Sequence, residues 1–263
     1  MIPPLLRPTI VLMAAVAIGF PSLSTGAFGE EQECSVPESF YAFEPISTKT
    51  TKALADGREV VIIILGGSST LGLAAGGGGF AWPARMAAVL TARFPSARVK
   101  VVNLAVARQT AKGTADRLAR DVLPLKPTLV IWETGTVEAV QGSDIDQFRE
   151  TMQAGIDALR AAGAEVVLMD MQFSRAAQTM IHFEPYLIAM HQLADANDVP
   201  LFHRHGIMRH WIESGLLDPR VRDGEKSRQL AAKLYDCIGR AMADFLTRGI
   251  PAAKPAASVG SGR

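Results

Sequence analysis

Residues 59–65 read Glu-Val-Val-Ile-Ile-Ile-Leu and run straight into Gly66-Gly67-Ser68-Ser69-Thr70. An unbroken β-branched run without polar alternation fits a strand buried on both faces. That environment belongs to a parallel sheet covered by helices. Four further runs repeat the theme: "ARVKVVN" (97–103), "PTLVIWET" (127–134), "AEVVLMDM" (164–171) and the short "VPLFH" (199–203). Helical spacing fills the gaps. Over 144–162, Ile145, Phe148, Met152, Ile156 and Leu159 recur three and four apart, with Ser143 as the expected N-cap, Asp146 three residues on and Gly163 past the end. A last helix over 227–247 puts Leu230, Leu234, Cys237, Ala241 and Phe245 on one side. Strands alternating with helices predict one α/β domain, a three-layer α/β/α sandwich around a five-stranded parallel sheet. Ligands of such sheets bind beyond the C-terminal strand ends. The residues there are Ser68, then 103–110, 135–138, 172–174 and 203–210.

The flanks read differently. Residues 1–27 carry Arg7, an apolar stretch from Ile10 to Phe20 and then small and turn-forming residues ending at Thr25-Gly26-Ala27. This is the pattern of a secretory signal peptide, the alternative being an anchor that stays attached. The apolar stretch is short for a bilayer span. A polar N-terminal extension (28–57) precedes the domain (58–249), and a low-complexity tail (250–263) is expected to be disordered. Export places the protein in the periplasm or outside the cell, away from a membrane once the signal is removed. There the two cysteines, Cys34 and Cys237, are expected to form a disulfide, two free buried thiols being the alternative. Lys+Arg total 27 against 26 Asp+Glu, without a basic block, which argues against nucleic acid as a partner. The glycines 76–79 lack the Lys-Ser/Thr of a phosphate loop and read as a flexible loop beside Ser68, a candidate rim of its pocket. No cofactor is implied, and the oligomeric state is not legible.

The order of several short blocks resembles the SGNH (GDSL) hydrolase family. "GGSSTLG" stands where that family has Gly-Asp-Ser, "VVNLAVARQTA" where it has Asn-x-x-x-Ser-Gly, and "LVIWETGTVEA" where a strand ends in Gly-x-Asn-Asp. The resemblance spans about 58–247 and implies a flavodoxin-like sheet with Ser68 as nucleophile. It implies an oxyanion held by the backbone N–H groups of Ser68 and Arg108, and a small ester substrate such as an acyl group on carbohydrate. The departures are specific. Gly67 replaces the Asp, Arg108 the oxyanion-hole Gly, Val137 the donor Asn and Glu138 the following Asp; "DGEK" (223–226) puts Lys226 where the family has its His, with Asp223 as the candidate orienter.

A serine hydroxyl needs an adjacent base. Three answers are open: Lys226; a histidine of "LFHRHGIMRHW", namely His203, His205 or His210; or no base at all. His203 and His205, two apart in a strand, would share a face and could share a metal, but no acidic or cysteine ligand stands near them in sequence. Hydrogen-bonded histidines without metal are therefore the expectation. Gln172 and Ser174 are candidate substrate contacts or loop-ordering residues, Trp211 a partly exposed platform, Trp82 and Trp132 core. Asn103 and Thr110 are expected to hold the second loop in shape. The functional expectation is an exported serine ester hydrolase acting on a small ester or acylated carbohydrate. The alternative is a catalytically degenerate relative that binds glycan or a partner without turnover.

Overall fold

A computed structural model describes residues 34–217 and 224–250. The proposed signal peptide, nearly all of the tail, and Asp223 lie outside the described residues. The elements in chain order are α1 (Thr48–Ala55), β1 (Glu59–Leu65), α2 (Trp82–Arg93), β2 (Arg98–Asn103), α3 (Ala111–Ala115), β3 (Leu129–Glu133), α4 (Thr136–Gln141), α5 (Ile145–Ala161), β4 (Glu165–Met169), α6 (Arg175–Met180), α7 (Glu184–Asn197), β5 (Leu201–Phe202), α8 (Arg204–Glu213) and α9 (Gly224–Thr247). The strands form one parallel sheet in the order β2-β1-β3-β4-β5. The order reverses direction between β1 and β3, which opens a crevice at their C-terminal ends.

The β-branched run of β1 explains the three layers. Val60, Ile62 and Ile64 pack into one core with Trp82, Met86, Ile207, Trp211 and Met242, while Ile63 and Leu65 pack into the other with Phe148, Met152, Ile156 and Leu193. Each fully buried aliphatic side chain contributes roughly 1.5–3 kcal/mol. Helix α5 lies close against the sheet because position 155 is glycine. A Cβ there would lie 2.4 Å from Trp132 Cζ3, so Gly155→Ala must displace the indole.

Three local expectations change. The N-cap of α5 is Asp144, not Ser143: its carboxylate accepts from the N–H groups of Asp146 and Gln147 at 3.0 and 2.8 Å. The N–H of Ser143 instead bonds Glu138 O at 3.0 Å, closing the preceding helix. Residues 34–57 are more ordered than their composition implied. They form a 3₁₀ turn (Glu38–Phe40) and α1, and they bury Tyr41 beside Phe202 and Phe245. Finally, β5 is only two residues long, and His203 caps α8.

The Cys34–Cys237 disulfide is present, with the Cα atoms 4.9 Å apart across 203 residues of sequence, and it ties the first described residue to α9. Closing so long a loop contributes about 4–5 kcal/mol in the chain-entropy account. None of the described helices is long and apolar enough to cross a membrane.

Candidate active site

Ser68 is exposed at the crevice between β1 and β3. It lines a cavity of about 220 Å³ with Gly67, Ser69, Arg108, Gln109, the segment 133–138 and Gln172. The turn that carries it is built on Glu133, the last residue of β3. Glu133 Oε2 accepts from Gly67 N–H at 3.0 Å and from the Thr70 hydroxyl at 2.7 Å. The Thr70 hydroxyl in turn accepts from Trp82 Nε1–H at 3.2 Å. Space is tight at Gly66, where a Cβ would come within 2.6 Å of both the Glu133 carboxylate and the Thr70 hydroxyl. At Gly67, where the SGNH family has Asp, a Cβ would meet nothing within 4 Å. The loss of that carboxylate is therefore not forced by packing.

Under the turn lies a buried ion pair. Arg204 Nη1 is 3.6 Å from Glu133 Oε1 and donates to Ser69 Oγ at 3.2 Å; Nη2 makes a long contact of 3.5 Å to Gln172 Oε1. Both side chains are almost fully buried, at 1% and 5% exposure. Neither residue stood out in the sequence. Glu133 reads as the end of a strand and Arg204 as a charge between two histidines.

The second loop reaches the cavity through Arg108, whose φ of 60° is left-handed. Glycine adopts that conformation freely and arginine does so at a cost. Asn103 and Thr110 fix this loop. Asn103 donates to Thr70 O at 2.7 Å and accepts from Ala105 N–H at 3.0 Å, and the Thr110 hydroxyl accepts from Gly113 N–H at 3.1 Å. Glu138 joins the second and third loops, accepting from the N–H groups of Ala111 and Gly135. Val137 lines the cavity and its side chain offers no donor.

The candidate bases are elsewhere. Among the described residues, no histidine or lysine lines the Ser68 cavity. His205 sits in the first turn of α8, its ring against Phe173 and Phe183 at centroid distances of 5.3 and 5.1 Å. Burial and the nearby Arg209 and Arg204 lower its pKa to about 4. It borders a smaller apolar pocket that shares only Thr136 and Gln172 with the Ser68 cavity and includes Ser174. His210 faces Phe40, 6.3 Å between ring centroids. His203 Nε2 bonds Glu44 Oε1 at 2.6 Å. Lys226 is exposed in the first turn of α9. Because β5 ends at Phe202, His203 and His205 do not form a same-face strand pair.

Trp211 is not a platform. It is fully buried, with its indole N–H donated to Ser35 O at 2.8 Å, because α8 turns that face into the core. Trp82 and Trp132 are core residues, as expected. The glycine stretch 76–79 does not line the Ser68 cavity; Gly76 and Gly77 cap two short 3₁₀ turns, and Gly78 and Gly79 begin the second.

A model of the Non-GDSL lipase-like family matches residues 33–252. Solved structures with the same fold include a two-domain esterase active on acetylated mannans (16% identity, TM-score 0.60, covering 79% of this chain and 55% of that one). Another is an acetyl-xylooligosaccharide esterase from Geobacillus Stearmophilus (16%, 0.58, 75% and 97%). A third is a psychrotrophic esterase from Pseudoalteromonas sp. (18%, 0.51, 69% and 98%). The chain spans 55–60% of the length of the two-domain esterase. At these identities the likeness is one of fold. No curated protein matches the sequence.

Proposed function

The chain belongs to the Non-GDSL lipase-like family, within the SGNH/GDSL hydrolases, and from that premise we propose that it is an exported serine ester hydrolase acting on an O-acylated carbohydrate. The observation that carries the reading is the placement of an exposed Ser68 at the sheet's switch point, in one cavity with Arg108, whose backbone is left-handed. Ser68 Oγ attacks the acyl carbonyl. The N–H groups of Ser68 and Arg108 receive the negative charge that develops on its oxygen. The adduct breaks its bond to the sugar oxygen, which leaves as a hydroxyl carrying the proton given up by Ser68, and the acyl-serine is then released by water, or by another hydroxyl in a transfer. A cavity of about 220 Å³ suits a short acyl group with part of a sugar rather than a long lipid. Acetylated sugars are also what two of the structural neighbours act on, which supports this substrate class. The Cys34–Cys237 disulfide supports an oxidising compartment, periplasmic or extracellular.

Turnover on this reading is slow. Val137 withholds one oxyanion donor, a loss of about 100- to 1,000-fold in rate. No imidazole among the described residues lines the cavity to take the Ser68 proton. That same observation favours a second reading, in which the cavity binds the acylated sugar without cleaving it.

A fluorophosphonate probe separates the two. Labelling that disappears in Ser68→Ala supports the hydrolase. No labelling, together with retained binding of an acetylated oligosaccharide, supports the binding protein. Absence of both would sink each reading.

A further inference from the structure

A second cluster of reactive side chains lies beyond the C-terminal ends of β4 and β5. Asp170 follows β4, His203 follows β5, and His191 comes from α7. Atoms able to bind a metal, one from each of the three, lie within 4.8 Å of one another. The rings of His191 and His203 are 4.9 Å apart between centroids. Asp170 is buried, His203 half-buried and His191 exposed, so the cluster is anchored in the protein and open on one side. The opening is a cavity of about 290 Å³, bordered also by Phe40 and Arg209.

The surroundings orient the donors. His203 Nε2 is engaged by Glu44 Oε1 at 2.6 Å, and Glu44 Oε2 is fixed by Leu201 N–H at 2.7 Å. A carboxylate holding one nitrogen of an imidazole directs the other nitrogen outward and raises its basicity, as in most histidine–metal sites. With Nε2 engaged, Nδ1 is the nitrogen left for an ion. Asp170 Oδ1 accepts from His205 N–H at 2.7 Å, which fixes its side chain. Asp170 is buried, and a cation beside it would balance its charge there.

We propose that Asp170, His191 and His203 form a binding site for a divalent transition-metal ion, with Glu44 as the residue that positions His203. Two imidazoles and one carboxylate are a donor set suited to Zn²⁺, with a further coordination position left open toward the cavity. Mg²⁺ and Ca²⁺ prefer oxygen donors and are disfavoured by the imidazoles. The donors come from separate elements and Glu44 from the N-terminal segment, so the ion would clamp that segment to the edge of the sheet. The acidic residues absent from the sequence neighbourhood of the histidines are supplied by the fold. The site is independent of the Ser68 reading, which stands or falls on a different cavity.

The test is equilibrium dialysis of the untagged full-length protein against Zn²⁺ and, separately, Co²⁺. The readouts are bound metal per chain and the visible spectrum of the Co²⁺ form. The site predicts one tightly held ion and Co²⁺ bands of low-coordinate geometry. Glu44→Gln should weaken binding by about 10- to 100-fold. His191→Ala, at an exposed position, should retain the fold and lose the ion and the bands, while Ser68→Ala binds as the wild type does. No retained metal in the wild type overturns the proposal, as does equal binding by the wild type and His191→Ala. If Asp170→Asn fails to fold, His191→Ala still decides.

Discussion

The Ser68 cavity and the Asp170–His203 cluster share the C-terminal rim of one sheet and carry opposite halves of a hydrolase's equipment. The first is lined by Ser68 and has no imidazole among its described lining; the second has three imidazoles and the Asp170 carboxylate among its described lining. Three consecutive residues make the division. His203, the N-cap of α8, turns to Glu44, Arg204 turns to Ser69 and Glu133, and His205 turns to Phe173 and Phe183. In a helix successive side chains point about 100° apart, following from 3.6 residues per turn, so neighbours in sequence serve different sites. The position that reaches the nucleophile's turn is occupied by a guanidinium, which cannot act as a base.

Breaking the partition at Arg204 gives the largest effect. Glu133→Ala leaves a buried arginine without its carboxylate and removes the acceptor for Gly67 N–H and the Thr70 hydroxyl. We expect a loss of about 3–5 kcal/mol in urea unfolding. A loss under about 1 kcal/mol would mean that the pair does not hold the two regions apart.

Val137→Asn sharpens the comparison from the Ser68 side. Restoring the family's donor should raise kcat/KM on an acetylated sugar by up to about 100-fold. An unchanged rate would place the oxyanion away from the third loop and favour the non-cleaving reading.

The smallest effect tests the other side. The pKa of His205 lies at about 4 in the folded protein against an ordinary 6.5, chiefly because of burial. Above pH 6.5 both folded and unfolded chains carry it neutral and it contributes nothing. Between 6.5 and about 4 the unfolded chain takes a proton that the folded chain refuses, so stability falls with pH. His205→Phe removes that loss. Its stability relative to wild type should rise as the pH is lowered across this window, and a constant difference would show that the imidazole is not desolvated.

Much of the fold was legible because its signals are local. The run at residues 59–65 is a strand with the expected limits, and the helix expected over 144–162 is α5. The other strands were expected one to three residues too long in total, at one or both ends. The candidate site was legible only in part. Ser68 and Arg108 were marked by their positions after strands, and they do border one cavity. Glu133, Arg204, Glu44 and Asp170 carried no comparable mark, because an isolated charge in a sequence does not reveal whether it is solvated or paired.

The sequence by itself determined the parallel sheet, its helices and the position of Ser68, through unbroken apolar runs for the strands and a 3.6-residue period for the helices. Only the tertiary structure decided what surrounds that serine. The partners of Gly67 and Ser69 lie 66 and 135 residues away, and the neighbours of His203 come from the extension (Glu44), α7 (His191) and the residue after β4 (Asp170). Buried charges must find partners wherever the packed chain brings them, and no local pattern encodes that meeting.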